Sequence, residues 1–79
     1  MTVKAFILIE TAVGRTKEVS TALKAVPGVK SVDPVTGPYD IIATIEGTDI
    51  NAVGNLVTKN IHPIDGVIRT VSCIAMELS

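Results

Sequence analysis

The chain has 79 residues, too few for two hydrophobic cores, so a single domain over residues 1–79 is predicted. Hydrophobic residues make up 47% of the chain, a share that excludes a disordered protein and permits a packed core of aliphatic side chains. The formal net charge is −1 and the seven basic residues are scattered, which argues against direct binding to nucleic acid.

The single cysteine, Cys73, rules out an internal disulfide and favours a reducing compartment. We expect it to behave as a small buried hydrophobe. The apolar run at residues 5–9 is too short for a signal peptide or a membrane span. A cytoplasmic protein without a membrane partner is therefore expected.

The first half of the chain predicts a strand, a helix and a second strand. Residues 3–10 are rich in β-branched and large apolar residues, which is typical of a strand. Apolar residues then recur at the spacing of one helical face, which predicts a helix over residues 15–25 that ends at Pro27. Residues 29–36 predict the second strand, and Pro34 places it at a sheet edge or at a bulge because proline cannot donate to the ladder.

The second half predicts a strand, a helix and a final strand. A stiff turn at residues 37–38 leads into a third strand over residues 39–46. Apolar residues at helical spacing predict a helix over residues 50–61. Residues 67–78 predict the last and longest strand.

The order βαββαβ predicts the ferredoxin-like member of the α+β class, with a four-stranded antiparallel sheet and both helices on one face. The face without helices would be polar in a monomer, yet the first strand is apolar on both faces. The last strand is too, with Val71, Cys73 and Ala75 on one face and Ile68, Ile74, Met76 and Leu78 on the other. Since exposed apolar patches favour association, we expect a second copy to cover this face and form a dimeric α+β barrel. Ile74 and Met76 are the candidate contact residues.

The residue inventory argues against catalysis and cofactors. One histidine and one cysteine, without a CxxC or HxxxH pair, provide no metal site. Cys73 lies within a predicted strand and His62 beside a helix-ending proline, where a solvated loop residue is expected, so no nucleophilic triad is predicted. The glycines are isolated turn residues and form no phosphate-binding loop.

The densest polar cluster is the turn between the second and third strands. Gly37 permits a backbone with positive φ, and Pro38 fixes its own φ. Tyr39 offers an apolar ring with one hydroxyl, and Asp40 places a carboxylate where strands seldom carry one. Asp40 either accepts hydrogen bonds from its own turn or accepts from a ligand ammonium group.

The second polar feature is the pair Thr70 and Ser72 in the last strand. Two residues apart, their hydroxyls project from the same face of the sheet. Thr70 is also an ordinary strand residue, so the pair is either strand surface or a set of ligand donors.

Three parts of the chain together resemble a known family. These are Val26-Pro27-Gly28-Val29 after the first helix, Val35-Thr36-Gly37-Pro38-Tyr39-Asp40-Ile41-Ile42, and the step Gly66-Val67 into the strand with Thr70 and Ser72. Over essentially all 79 residues the chain resembles the effector-binding RAM domain of the Lrp/AsnC (feast/famine) transcriptional regulators.

The resemblance implies a ferredoxin-like domain that dimerises through its sheets and assembles further into rings of dimers. It implies a free amino acid or related effector bound where dimers meet. The ligand-binding residues carried over are Gly37, Tyr39, Asp40, Thr70 and Ser72. No catalytic residue, metal or cofactor is implied.

Two departures from the family pattern shape the functional expectation. The regulators usually carry an N-terminal helix-turn-helix, whereas this chain begins at the first strand, so a stand-alone module without DNA binding is expected. Full-length Lrp/AsnC regulators are a further candidate partner. Ile41 stands where many members have a second aromatic residue, which bears on the identity of the effector.

Three functions remain open from the sequence. The first is a non-catalytic amino-acid-binding regulatory module. The second is a small enzyme on a dimeric α+β barrel, such as a cofactor-free monooxygenase or an isomerase, although such enzymes need a cavity lined by His, Trp, Asn or Tyr and this chain has one His, one Tyr and no Trp. The third is a structural partner that assembles with full-length regulators without a ligand.

Overall fold

The computed structural model describes residues 2–78 and contains a four-stranded sheet covered on one face by two helical segments. Within this range the helical segment before the last strand begins as an α-helix and continues directly as a π-helix. The elements are β1 (Val3–Thr11), α1 (Thr16–Lys24), β2 (Val29–Pro34), β3 (Ile41–Gly47), α2 (Ile50–Leu56) with its π-helical extension (Val57–Ile61), and β4 (Val67–Ile74).

The strands lie in the order β2-β3-β1-β4, and every neighbouring pair is antiparallel. This arrangement confirms the predicted ferredoxin-like fold. β2 is an edge strand that ends at Pro34, which agrees with a residue that has no N–H to donate. A register shift between Val29 and Ser31 interrupts the same strand.

The core lies between the helices and one face of the sheet. Alternate residues of β1 and β3 point into it, as the period of two in a strand requires. α1 and the α2 segment supply the opposite wall from positions three and four residues apart. The fully buried core residues are Ala5, Ile7, Ile9, Val19, Leu23, Ile41, Ala43, Ile45 and Ile61, joined by the nearly buried Val53 and Val57.

The other face of the sheet carries no helix and remains partly apolar. Phe6 pairs with Cys73, and Leu8 pairs with both Val71 and Ile42, so these side chains share the face opposite the core. Phe6 and Val71 are each 38% exposed. We call this set of five residues the open face.

The residues expected to contact a second copy across the sheet were wrongly placed. Ile74 pairs with Ala5 and therefore lies on the helix side, and Met76 lies beyond the end of β4. Ile74 is nevertheless exposed because the helices pack mainly over β1, β2 and β3. Val71 and Cys73 are the β4 residues that belong to the open face.

Several element boundaries differ from the predicted ones for local reasons. β2 ends at Pro34 and β3 begins at Ile41, since residues 36–40 bend into the intervening turn. β4 ends at Ile74, four residues earlier than predicted. Within the single chain Cys73 is exposed, not buried as expected, because it lies on the open face of an edge strand.

Candidate ligand-binding site

Asp40 fastens the turn between β2 and β3 to the end of β1. Its Oδ2 accepts hydrogen bonds from the Thr11 N–H at 2.8 Å and from the Thr11 hydroxyl at 3.2 Å. Its own N–H donates to the Ile9 carbonyl at 2.9 Å, and its carbonyl accepts from the Val35 N–H at 2.9 Å. The carboxylate thus bonds to a residue 29 positions earlier, and the interpretation of Asp40 as an acceptor for its own turn is wrong.

The second oxygen of this carboxylate, Asp40 Oδ1, differs from Oδ2 in its hydrogen bonding. Within residues 2–78, Asp40 Oδ1 accepts no hydrogen bond. Asp40 is half-buried, so this oxygen has a fixed position at the end of the sheet. An anchored carboxylate with one unpaired oxygen is suited to accept from an ammonium group.

The turn itself presents backbone donors. Gly37 has φ 148°, and a Cβ at this position would meet nothing within 4 Å, so the glycine serves the backbone conformation and not close packing. In the described part of the chain, the N–H groups of Thr36, Gly37 and Tyr39 have no hydrogen-bond acceptor. Backbone N–H groups without an acceptor are donors of the kind that bind a carboxylate, and those of Thr36 and Gly37 belong to exposed residues.

Tyr39 lies beside Arg69, and Arg69 lies beside Glu10; the sequence reasoning missed both charged residues. The Arg69 guanidinium carbon lies 5.8 Å from the centroid of the Tyr39 ring, within the range of a cation–π contact. Arg69 Nε lies 3.4 Å from Glu10 Oε1. Glu10 and Arg69 are directly paired across β1 and β4, so the register between these two strands is what predicts this contact.

Thr70 and Ser72 share one face of β4, as predicted, and that face is the helix side. They pair with Ile9 and Ile7, both of which point into the core. The Thr70 hydroxyl lies 2.8 Å from His62 Nε2. Ser72 is exposed. His62 is exposed as predicted, but its contact with Thr70 was not foreseen.

The five predicted ligand-binding residues therefore do not converge within one chain. Tyr39 contacts Arg69, whose paired partner places it on the side of the open face, whereas Thr70 and Ser72 lie on the helix side of β4. A shallow groove of about 330 Å³ includes Thr70 with His62, and Tyr39 and Asp40 are not part of its lining.

A larger groove lies at the opposite end of the sheet. It has a volume of about 700 Å³ and is lined by the beginning of β1, the residues after β4 and the start of α2. Its lining includes the exposed apolar side chains of Ile50, Ile74 and Met76. None of the predicted ligand-binding residues belongs to it.

A second arginine, Arg15, makes hydrogen bonds to two carboxylates. Arg15 donates to Glu18 and to Asp65, each at 2.9 Å, and so ties the start of α1 to the loop before β4. The hydrogen bond from Arg15, together with its charge, lowers the pKa of the Asp65 carboxyl below its ordinary value. The same contacts raise the pKa of the Arg15 guanidinium.

Two further properties concern the described residues as a set. Residues 2–78 contain no cluster of three or more His, Cys, Asp or Glu side chains that could hold a metal ion. No helix in this range has both the length and the apolar character needed to cross a membrane.

Comparison with known proteins identifies the family. The sequence model of the Lrp/AsnC ligand binding domain matches residues 4–78. The chain belongs to the Lrp/AsnC family. It is 36% identical over 62 residues to the HTH-type transcriptional regulator LysM of Saccharolobus solfataricus, a match that covers 78% of this chain and 43% of the regulator. It is also 34% identical over 62 residues to a homocitrate synthase of Sulfurisphaera tokodaii, where the match covers 78% of this chain and 13% of the enzyme.

Solved structures of two relatives show how widely this fold is shared. The crystal structure of TTHA0845 from Thermus thermophilus superposes with a TM-score of 0.91 at 32% identity, over 98% of this chain and 96% of that one. NMB0573 of Neisseria meningitidis, a transcriptional regulator solved in complex with L-Met, superposes with a TM-score of 0.85 at 23% identity. There the match covers 95% of this chain and 50% of the regulator. The chain thus spans less than half of LysM but nearly all of TTHA0845.

Proposed function

We propose that this chain is a non-catalytic regulatory module of the Lrp/AsnC family that binds a free amino acid, or a close analogue, at a site shared between copies. The family domain is a ligand-binding domain, which supports the class of function. The complex of NMB0573 with L-Met supports an amino acid as the ligand.

The anchored carboxylate of Asp40 is the observation that carries the proposal. A zwitterionic ligand needs an acceptor for its ammonium group and donors for its carboxylate. Asp40 Oδ1 supplies the acceptor, held in place by the two bonds that Oδ2 makes to Thr11. The exposed N–H of Gly37 supplies a donor, and the half-buried Tyr39 ring forms a wall.

The hydroxyls of Thr70 and Ser72 complete the site from another copy. Within one chain they lie on the helix side of β4, separated from Asp40 by β1, since Ile9 pairs with Thr70 and accepts from the Asp40 N–H. A neighbouring dimer that placed its β4 against the turn would bring these hydroxyls to the ligand. Ligand binding at such a site stabilises the assembly by mass action.

The open face supplies the dimer contact. Five apolar side chains in a patch on an uncovered sheet would remain in water in a monomer, and a second copy packed on this face removes them from it. Dimers formed in this way associate further into a ring through the turn and β4. Full-length regulators of the family, which have the same domain, are additional partners for mixed assemblies, and the cytoplasm is the compartment that this role implies.

An enzymatic function has less support from the structure. His62 is exposed and contacts Thr70, and Cys73 lies on the open face, so the two candidate nucleophile or base groups are on opposite faces of β4. The homocitrate synthase relative is matched over only 13% of its length, so the match does not carry that enzyme's activity over to this chain.

Isothermal titration calorimetry of the purified protein against each of the twenty amino acids tests the proposal. We expect saturable binding of at least one amino acid, together with a rise in the thermal unfolding temperature. The absence of heat and of a thermal shift for all twenty at millimolar concentration would favour the structural-partner alternative. Turnover of an added amino acid would contradict the non-catalytic assignment.

A further inference from the structure

Arg69 has hydrogen-bond donors that its own chain leaves unused. Its side chain is 64% exposed, and within residues 2–78 it donates no hydrogen bond of good geometry. Its ion pair with Glu10 is long, at 3.4 Å from Nε to Oε1. Arg15 differs, because it donates to two carboxylates at 2.9 Å each. Arg69 is thus an exposed guanidinium whose N–H groups make no hydrogen bond within residues 2–78.

Two contacts hold this guanidinium beside the candidate site. The Tyr39 ring centroid lies 5.8 Å from its central carbon, and Tyr39 is the residue that precedes Asp40 in the turn. Glu10 Oε1 lies 3.4 Å from Nε on the neighbouring strand, where Glu10 and Arg69 are directly paired. Arg69, Tyr39 and the Asp40 anchor therefore meet at the same end of the sheet.

We propose that Arg69 binds the carboxylate of the ligand, which deepens the proposed function and rests on it. A guanidinium presents parallel N–H groups that match the two oxygens of a carboxylate, a geometry that hydroxyls and single backbone amides do not provide. Glu10 occupies the Nε edge, and the terminal nitrogens remain available for the ligand. Asp40 follows Tyr39 in the turn, and its Oδ1 accepts from the ammonium group of the same molecule.

This assignment makes the negative charge of the ligand a condition of tight binding. A free amino acid satisfies both Arg69 and Asp40, whereas its α-amide keeps the ammonium group and loses the carboxylate. Removal of one charge-assisted hydrogen bond weakens binding about 10–150-fold. The acid should therefore bind more tightly than the amide by a factor in this range, and the factor should depend on Arg69.

The test compares L-methionine with L-methioninamide, and then makes the same acid–amide comparison for whichever of the twenty amino acids binds the wild type most tightly. The proteins are wild type, Arg69→Gln, Arg69→Lys and the matched control Arg15→Gln. We expect Arg69→Gln to weaken binding of the acid about 10–150-fold and to leave binding of the amide nearly unchanged. The affinity of Arg69→Lys for the acid should lie between those of Arg69→Gln and the wild type. Arg15→Gln should keep the wild-type preference for the acid over the amide.

The outcomes separate this inference from the proposed function. If the wild type binds an amino acid and Arg69→Gln keeps the full preference for the acid, the Arg69 assignment is overturned while the proposed function stands. If the wild type binds none of the twenty, both are overturned. A general loss of affinity for acid and amide alike would show a structural role and also overturn the assignment. Circular dichroism checks the fold of each variant. If Arg69→Gln does not fold, the acid–amide comparison in Arg69→Lys provides the test instead.

Discussion

Replacement of Asp40 by two different residues separates its structural bond from its proposed binding role. Asp40→Ala removes the acceptor of the Thr11 N–H, which is bonded at 2.8 Å in a residue that is 7% exposed. Asp40→Asn retains an oxygen of the same size that can accept from Thr11 but removes the charge. The alanine variant should therefore lose stability and affinity, whereas the asparagine variant should lose mainly affinity.

The expected loss of unfolding free energy in Asp40→Ala follows from the burial of the Thr11 N–H. A buried donor left without its acceptor costs about 1–3 kcal/mol. Stability scales to roughly 4–12 kcal/mol for a chain of this length, so the loss in Asp40→Ala is a large share. It corresponds to a fall of about 4–8 °C in the unfolding midpoint for each kcal/mol. Asp40→Asn should lose less than about 1 kcal/mol, because one neutral hydrogen bond remains.

Urea unfolding followed by circular dichroism measures the first effect, and calorimetry with an amino acid that binds measures the second. Protein concentration must be the same for all variants because assembly contributes to stability. Asp33→Asn, which removes an exposed carboxylate from β2, is the control. Equal stability of the two Asp40 variants would refute the role of the Thr11 bond. Wild-type affinity in Asp40→Asn would refute the ammonium contact.

Three further predictions concern the turn before β4, the open face and acid stability. Gly66→Ala should lose about 1–3 kcal/mol in urea unfolding, because φ is 101° and the new Cβ would lie 2.9 Å from a buried valine of α1. Gly14→Ala, with φ 77° and nothing within 4 Å, should lose only the smaller backbone cost, and equal losses would contradict the clash. Leu8→Asp should shift the sedimentation coefficient toward a monomer, and an unchanged assembly would show that the open face is not the contact. Because the pKa of Asp65 is lowered in the folded state, its pairing with Arg15 stabilises the fold above the ordinary value of 3.8 and is lost as pH falls below it. Asp65→Asn should flatten the stability profile as pH falls through and below the ordinary value of 3.8, and a profile identical to wild type would contradict the effect.

Local sequence patterns were sufficient to predict the fold. The alternation of β1 and β3 and the helical spacing before Pro27 each depend on residues close together in the chain. The π-helix Val57–Ile61 was not predicted, since its apolar spacing resembles that of an ordinary helix end. The strand limits near Pro34 were displaced because the turn takes up more residues than its glycine and proline.

The candidate site was harder to predict because its contacts are non-local. Turn chemistry pointed to Asp40, but its bond to Thr11 joins residues that are far apart in sequence and meet only through strand pairing. The contact of Arg69 with Glu10 depends on the register between β1 and β4. Cys73 was misjudged for a related reason, since its exposure follows from the position of β4 at the sheet edge. Residue types can therefore suggest ligand groups, but topology decides which of them meet.

Subunit complementation tests most directly whether the site is shared between copies. The first variant protein contains Asp40→Asn, and the second contains both Thr70→Val and Ser72→Ala. In an assembly of either variant alone, every binding site lacks one of its proposed ligand-binding groups. After the two are mixed, unfolded together and refolded, a shared site would form intact wherever an unmodified Asp40 meets an unmodified Thr70 from another copy. We predict that the mixture regains a fraction of wild-type amino-acid binding in calorimetry while the separate variants do not. A mixture that binds no better than the average of its two components would contradict a site shared between copies.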